Sequence, residues 1–116
     1  MKALALMSLL LFSGISYSPE AQLLPTKLRV TVIDGLGNFV AGASVAIYED
    51  EENYLASEGA VATLTTDSKG RVTFKDVKPV SYFIEARKGN QSNNGEGVQT
   101  AVLAEGRLNK VNTVIE

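Results

Sequence analysis

Four adjacent acids, Glu49-Asp50-Glu51-Glu52, form the densest run of charge in the chain. Such a run suggests calcium, with Asp34 or Asp67 as further donors. Calcium takes about six to eight oxygens from well-spaced carboxylates and carbonyls, and four sequence neighbours cannot all point inward. The run is expected to be a solvated loop. Ser68-Lys69 places a hydroxyl beside an amine. Adjacent residues on a solvated hairpin have no means of depressing the lysine pKa, so no nucleophile is expected there. Tyr48 and Tyr54 flank the acidic run and offer a small surface for a sugar or a protein. Asn90-Gln91-Ser92 fits a glycosylation sequon, and Asn93-Asn94-Gly95 reads as a mobile loop tip. No residue is assigned a catalytic, cofactor-binding or metal-binding role.

Composition narrows the chemistry further. The 116 residues contain no Cys, His or Trp. Disulfides, thiolate metal sites and the usual general base near neutral pH are therefore excluded. Eleven basic and thirteen acidic residues leave a net charge of -2, with no basic stripe to attract nucleic acid. Hydrophobic residues at 45% and charged residues at 21% suit one globular domain.

Elements come next. Met1 to about Ile15 carries Lys2 and then the apolar run Ala3–Phe12, followed by small residues. That order matches a secretory signal peptide, and the run is too short to span a bilayer, which takes about 20 apolar residues. Cleavage after Ser16 and after Ala21 are both open; the division adopted is residues 1–21 as signal and 22–116 as the domain. Membrane contact is then confined to export, and the mature chain is secreted or periplasmic.

From Pro25 the pattern has period two, the mark of half-buried strands. Leu28, Val30 and Val32 share a face, as do Ala43, Val45 and Ile47. Ala60–Thr65 is rich in β-branched residues. Val72 and Phe74 alternate, then Tyr82, Ile84 and Ala86, with Ser81, Phe83 and Glu85 opposite. Lys88–Gly97 reads as the longest loop, Val98–Leu103 as a strand, and Leu108–Ile115 as the last strand. Turns fall at Asp34–Asn38, Thr66–Gly70, Asp76–Pro79 and Ala104–Arg107. No helical stripe follows the signal. The expected fold is all-β, a seven-stranded antiparallel Greek-key β-sandwich.

The order of these motifs resembles the carboxypeptidase regulatory-like domain, a transthyretin-like β-sandwich family common in exported bacterial proteins. The resemblance rests on Leu28–Asp34, Gly37, Val40–Val45, Thr65–Phe74, Val77 and Tyr82–Ile84, about half of the chain. Val80-Ser81 stand where the family usually has Gly. The resemblance implies architecture more than chemistry. Hydrolases of this general fold that act on a purine breakdown product rely on histidine, which this chain lacks. Collagen-binding B-type pilin and adhesin modules share the architecture and join Lys to Asn through an acid-promoted isopeptide bond; Lys27, Glu85 and Asn112 are the residues that would take those parts. Lys27 stands early in its strand for that role, and both Lys27 and Glu85 fall opposite the apolar faces. The expected function is a non-enzymatic structural or binding module of the bacterial envelope or exterior. It would need no cofactor and would meet a protein or glycan partner through loops or a sheet edge. The alternatives are an isopeptide-linked adhesin module or a carboxylate-based accessory enzyme subunit.

Overall fold

The computed structural model describes residues 24–116, so the expected signal peptide lies outside the described residues. Seven strands and one short helix follow: β1 Thr26–Asp34, β2 Ser44–Tyr48, α1 Glu51–Ala56, β3 Ala62–Thr65, β4 Arg71–Val77, β5 Phe83–Lys88, β6 Gln91–Ser92 and β7 Leu108–Ile115. They form two sheets, one in the order β4-β1-β7 and the other β3-β2-β5-β6.

Alternation explains the layers. Leu28, Val30 and Val32 of β1 are fully buried, and Val72 and Phe74 of β4 join them. Facing them from the other sheet are Val45 and Ile47 of β2, paired side by side with Ala86 and Ile84 of β5. Each inward residue removes apolar surface from water, worth roughly 25 cal/mol per Å². Tyr82 is 1% exposed, and its hydroxyl accepts from the Lys78 amide at 2.9 Å, so the largest core side chain also ties the turn before β5.

Several expectations need correction. The sandwich is not wholly antiparallel: β7 runs parallel to β1 over eight pairs, from Lys27 with Leu108 to Asp34 with Ile115. A strand arriving from the other sheet can enter in either direction, and alternation within a strand carries no record of its neighbour's direction.

The strand expected at Val98–Leu103 does not form. Only a single bridge joins Phe83 to Gln99. The Ile84 amide donates to the Val98 carbonyl and the Thr100 amide to that of Tyr82, so the segment follows β5 without a regular ladder. Val102 is 72% exposed and Leu103 is buried. Conversely, the expected loop Lys88–Gly97 contains β6. Asn93, expected at a mobile tip, is 1% exposed. One edge position of the sheet is thus filled by two fragments with Asn93 between them.

The acidic run is solvated as expected, all four acids being exposed, but only Glu49 and Asp50 lie in a loop and the other two enter a helix. Asp50 caps α1, its side chain accepting from the Asn53 amide at 2.8 Å, and Glu51 and Glu52 occupy the first turn. Acids belong there because the free amides and helix dipole favour negative charge. Ser57 ends the helix in the left-handed conformation.

Candidate interaction site beside the short helix

The outward residues of β2 and β5 assemble one polar and aromatic cluster. Register places Tyr48 opposite Phe83 and Ala46 opposite Glu85. The helix α1 lies over this outer face, so Tyr48 is only 2% exposed although it points away from the core. Tyr54 stacks on Phe83 with ring centroids 5.7 Å apart and meets Tyr48 edge-on at 6.0 Å. Aromatic pairs at these separations add about 0.5–1.5 kcal/mol beyond burial, which helps hold a six-residue helix too short to persist alone.

Glu85 sits at the centre. Its Oε1 accepts from the Tyr48 hydroxyl at 2.7 Å; its Oε2 accepts from Ser57 Oγ at 2.9 Å and from Arg87 Nε at 2.9 Å. The Arg87 Nη2 lies 2.7 Å from the same Oε2. Burial pushes the carboxyl pKa up, but donation from Tyr48, Arg87 and Ser57 outweighs it, leaving Glu85 below the usual range. Burial, reinforced by the hydrogen bond to Glu85, pushes the Tyr48 phenol up to about 12. Burial also raises Tyr54. A carboxylate held ionised by three donors is a poor general base, since a useful base needs a pKa near the working pH.

An open groove of about 450 Å³ borders the cluster, lined by Tyr54, Ser57, Glu85, Arg87, Asn94 and Val98 among others. The Arg87 side chain remains 59% exposed, so part of the guanidinium is available to a ligand. A larger hollow of about 560 Å³ lies by Leu24, Asp76, Lys78 and Glu105, where the described chain begins. Its lining makes separate contacts, such as the Gly106 amide to Thr26 Oγ1 at 2.9 Å and Lys78 to Glu49 at 3.3 Å, rather than several donors on one side chain, so the smaller groove is the stronger candidate site.

The other sequence candidates are dispersed. Glu49 pairs with Lys78 at 3.3 Å, while Asp50 caps the helix. Asp34 accepts from the Leu36 and Asn38 amides, and Asp67 from those of Lys69 and Arg71. Hydrogen bonds from the backbone, at Asn38 for Asp34 and at Arg71 for Asp67, hold both carboxyls below their usual range. Among the described residues, no three acidic side chains converge on a common point.

Ser68 and Lys69 are exposed on their turn. Lys27 pairs with Leu108, whereas Asn112 pairs with Thr31. Four strand residues therefore separate them, roughly 13 Å. Glu85 lies on the outer face of the other sheet, bonded to Tyr48, Ser57 and Arg87, so the isopeptide trio does not meet. In the sequon, Asn90 is exposed, and Gln91 and Ser92 make up β6.

Tyr48 and Tyr54 do come together. Sequence reasoning did not place Phe83, Glu85, Ser57 and Arg87 around them, although it put Phe83 and Glu85 on one face. The missing signal was the β2–β5 register and the presence of α1.

No protein-family model matches the chain. No curated protein matches it either. Solved structures do. The Bacillus anthracis TIE protein is similar at TM-score 0.55 and 16% identity, over 93% of this chain and 19% of that one. Chlorocatechol 1,2-dioxygenase from Pseudomonas putida is similar at TM-score 0.52 and 15% identity, over 82% of this chain and 61% of that one. The group B streptococcus pilus 2b backbone protein is similar at TM-score 0.52 and 13% identity, over 78% of this chain and 40% of that one. The chain spans less than two thirds of each of these proteins. At such identities the likeness concerns the fold alone, a two-sheet β-sandwich.

Proposed function

We propose that this chain is an exported, non-catalytic β-sandwich module of the carboxypeptidase regulatory-like class. It contacts a protein or glycan in the bacterial envelope or outside the cell through the groove between α1 and the Asn94–Val98 segment. The observation that carries this reading is the state of Glu85: both oxygens are committed to Tyr48, Ser57 and Arg87, fixing a surface with no free base behind it. Aromatic and guanidinium groups with one exposed end are what contact surfaces use most. The signal-like N-terminal residues support export.

The test is a glycan array and a pull-down from the host's envelope, run with the unaltered chain and with Arg87→Glu. Capture that Arg87→Glu abolishes while its circular dichroism is unchanged is the expected result. Turnover in a hydrolase screen, or capture indifferent to Arg87, would refute the reading.

A second reading is a building block of a surface fibre. The likeness to a pilus backbone protein favours it. The separation of Lys27 from Asn112 argues against an isopeptide between those two residues. Boiled surface extracts would show a ladder of covalent multimers if the chain is linked into a fibre, and one monomer band otherwise.

A further inference from the structure

The two sides of the sandwich end differently. On one side, Ser92 and Glu116 exchange backbone hydrogen bonds at 3.1 and 3.3 Å, which ties β6 to the end of β7 and joins the sheets. On the other side, β3 and β4 are both edge strands, connected by the Thr66–Gly70 turn. β4 is defended: it carries Arg71, Lys75 and Asp76, and Asp76 kinks it at φ 60°. β3 is not. From Ala60 to Thr66 there is no charge, proline or glycine. Val61 and Leu64 are 47% and 40% exposed. Natural edges are normally blunted with charge, proline or a bulge, and an edge without them is a template for another strand.

The register shows which groups are offered. Thr66 donates its amide to the Ala43 carbonyl, so alternation directs Leu64 and Ala62 toward β2 and turns the N–H and C=O of Thr63 and Thr65 outward. Among the described residues, the amides of Thr63 and Thr65 have no partner outside their own sheet ladder.

We propose that β3 pairs with β3 of a second copy of this chain, antiparallel, about a two-fold axis through Leu64. In that register Thr63 exchanges both backbone hydrogen bonds with Thr65 of the second copy, and Thr65 with its Thr63. The side chains match as well. Threonine faces threonine on the outer surface, and the two Leu64 side chains meet on the inner surface, covering apolar area that one copy leaves in water. An identical strand is the occupant this edge favours, because it has no charge with which to select a different partner, and two uncharged copies do not repel. The four-stranded sheet would then continue from one copy into the next.

Sedimentation velocity on the purified protein over a concentration series tests this. A reversible monomer–dimer equilibrium is expected, with the Thr63 and Thr65 amides slowing in hydrogen exchange as the dimer forms. Thr65→Pro removes one outward donor per copy, leaves the β2 ladder intact, and suits an edge position. Leu64→Lys places like charges on the axis. Each variant should weaken association at least about tenfold with unchanged circular dichroism, and Lys75→Ala on β4 should have no effect. A monomer at every concentration would overturn the proposal, as would a dimer that survives both variants. Slow exchange of both amides in the monomer would assign the edge to another segment of the same chain and would also overturn it.

Discussion

Asn93 does more for this fold than its place in a polar, glycine-rich stretch suggests. Its Oδ1 accepts from the Ala86 amide at 3.0 Å, and its Nδ2 donates to the Ile84 carbonyl at 3.0 Å and to Thr113 Oγ1 at 2.8 Å. Thr113 in turn donates to the Glu96 carbonyl at 3.1 Å. One amide thus completes the edge of β5 where β6 stops and links it to β7 in the other sheet. A buried polar group is tolerable only when paired, and its loss leaves its partners unpaired as well. Asn93→Ala is expected to cost about 2–3 kcal/mol in urea unfolding. Asn94→Ala, one residue along and exposed, should change little. An unaltered midpoint for Asn93→Ala would show that water replaces the amide. Sequence could not reveal this role, because three asparagines stand within five residues of one another and nothing local distinguishes the buried one.

Among the elements, the β3–β4 turn shows how much backbone geometry a short motif can carry. Asp67 Oδ1 accepts from the Lys69 and Arg71 amides at 2.8 and 3.0 Å, and the Gly70 amide donates to the Asp67 carbonyl at 2.9 Å. Gly70 has φ +71°, and a Cβ there would lie 2.6 Å from the Val32 carbonyl oxygen and 3.0 Å from the Val40 amide nitrogen. The Val32 amide donates to the Gly70 carbonyl at 2.7 Å, so the turn is pressed against the middle of the fold. Gly70→Ala combines left-handed strain with a backbone clash and is expected to cost at least about 2 kcal/mol. Gly37→Ala, at φ +88° with nothing near its Cβ position, should carry the strain without the clash and cost less. Thermal melts of the two variants would compare them, and equal losses would mean the clash is relieved by movement of β1. The turn itself was legible because Asp and Gly are the residues such a reversal requires. Its contact with Val32 was not, since that neighbour is distant in sequence.

For the whole molecule, the absence of histidine sets the shape of the stability profile. Glu85, Asp34 and Asp67 have carboxyls held below their usual range in the folded state. A depressed carboxyl contributes stability that is complete above the unfolded pKa and disappears as pH falls through the folded one. Tyr48, raised to about 12, has the opposite sign: its contribution is complete below the unfolded pKa and is lost as pH rises through the folded value. No side chain with an ordinary pKa near neutrality is present, so Tm should be level between about pH 6 and about pH 8. It should fall below about pH 4 and again above about pH 10, the usual ranges of carboxyls and phenols. Glu85→Gln should flatten part of the acid limb, and Tyr48→Phe part of the alkaline one. A Tm that changes steeply through neutrality would contradict this profile.

Alternation along each strand was enough to divide inward from outward residues in β1, β2, β4 and β5, because period two is written in the chain itself and hydrophobic burial obeys it. Missing cysteine and histidine narrowed the chemistry for the same reason: composition needs no folding to be read. Tertiary structure alone decided that β7 runs parallel to β1, that Val98–Leu103 stays irregular, and that Glu85 gathers Tyr48, Ser57 and Arg87 beneath a helix. Each of these depends on which distant segments become neighbours. Register, strand direction and shared hydrogen bonds are properties of pairs, and a pair is not encoded at either residue by itself.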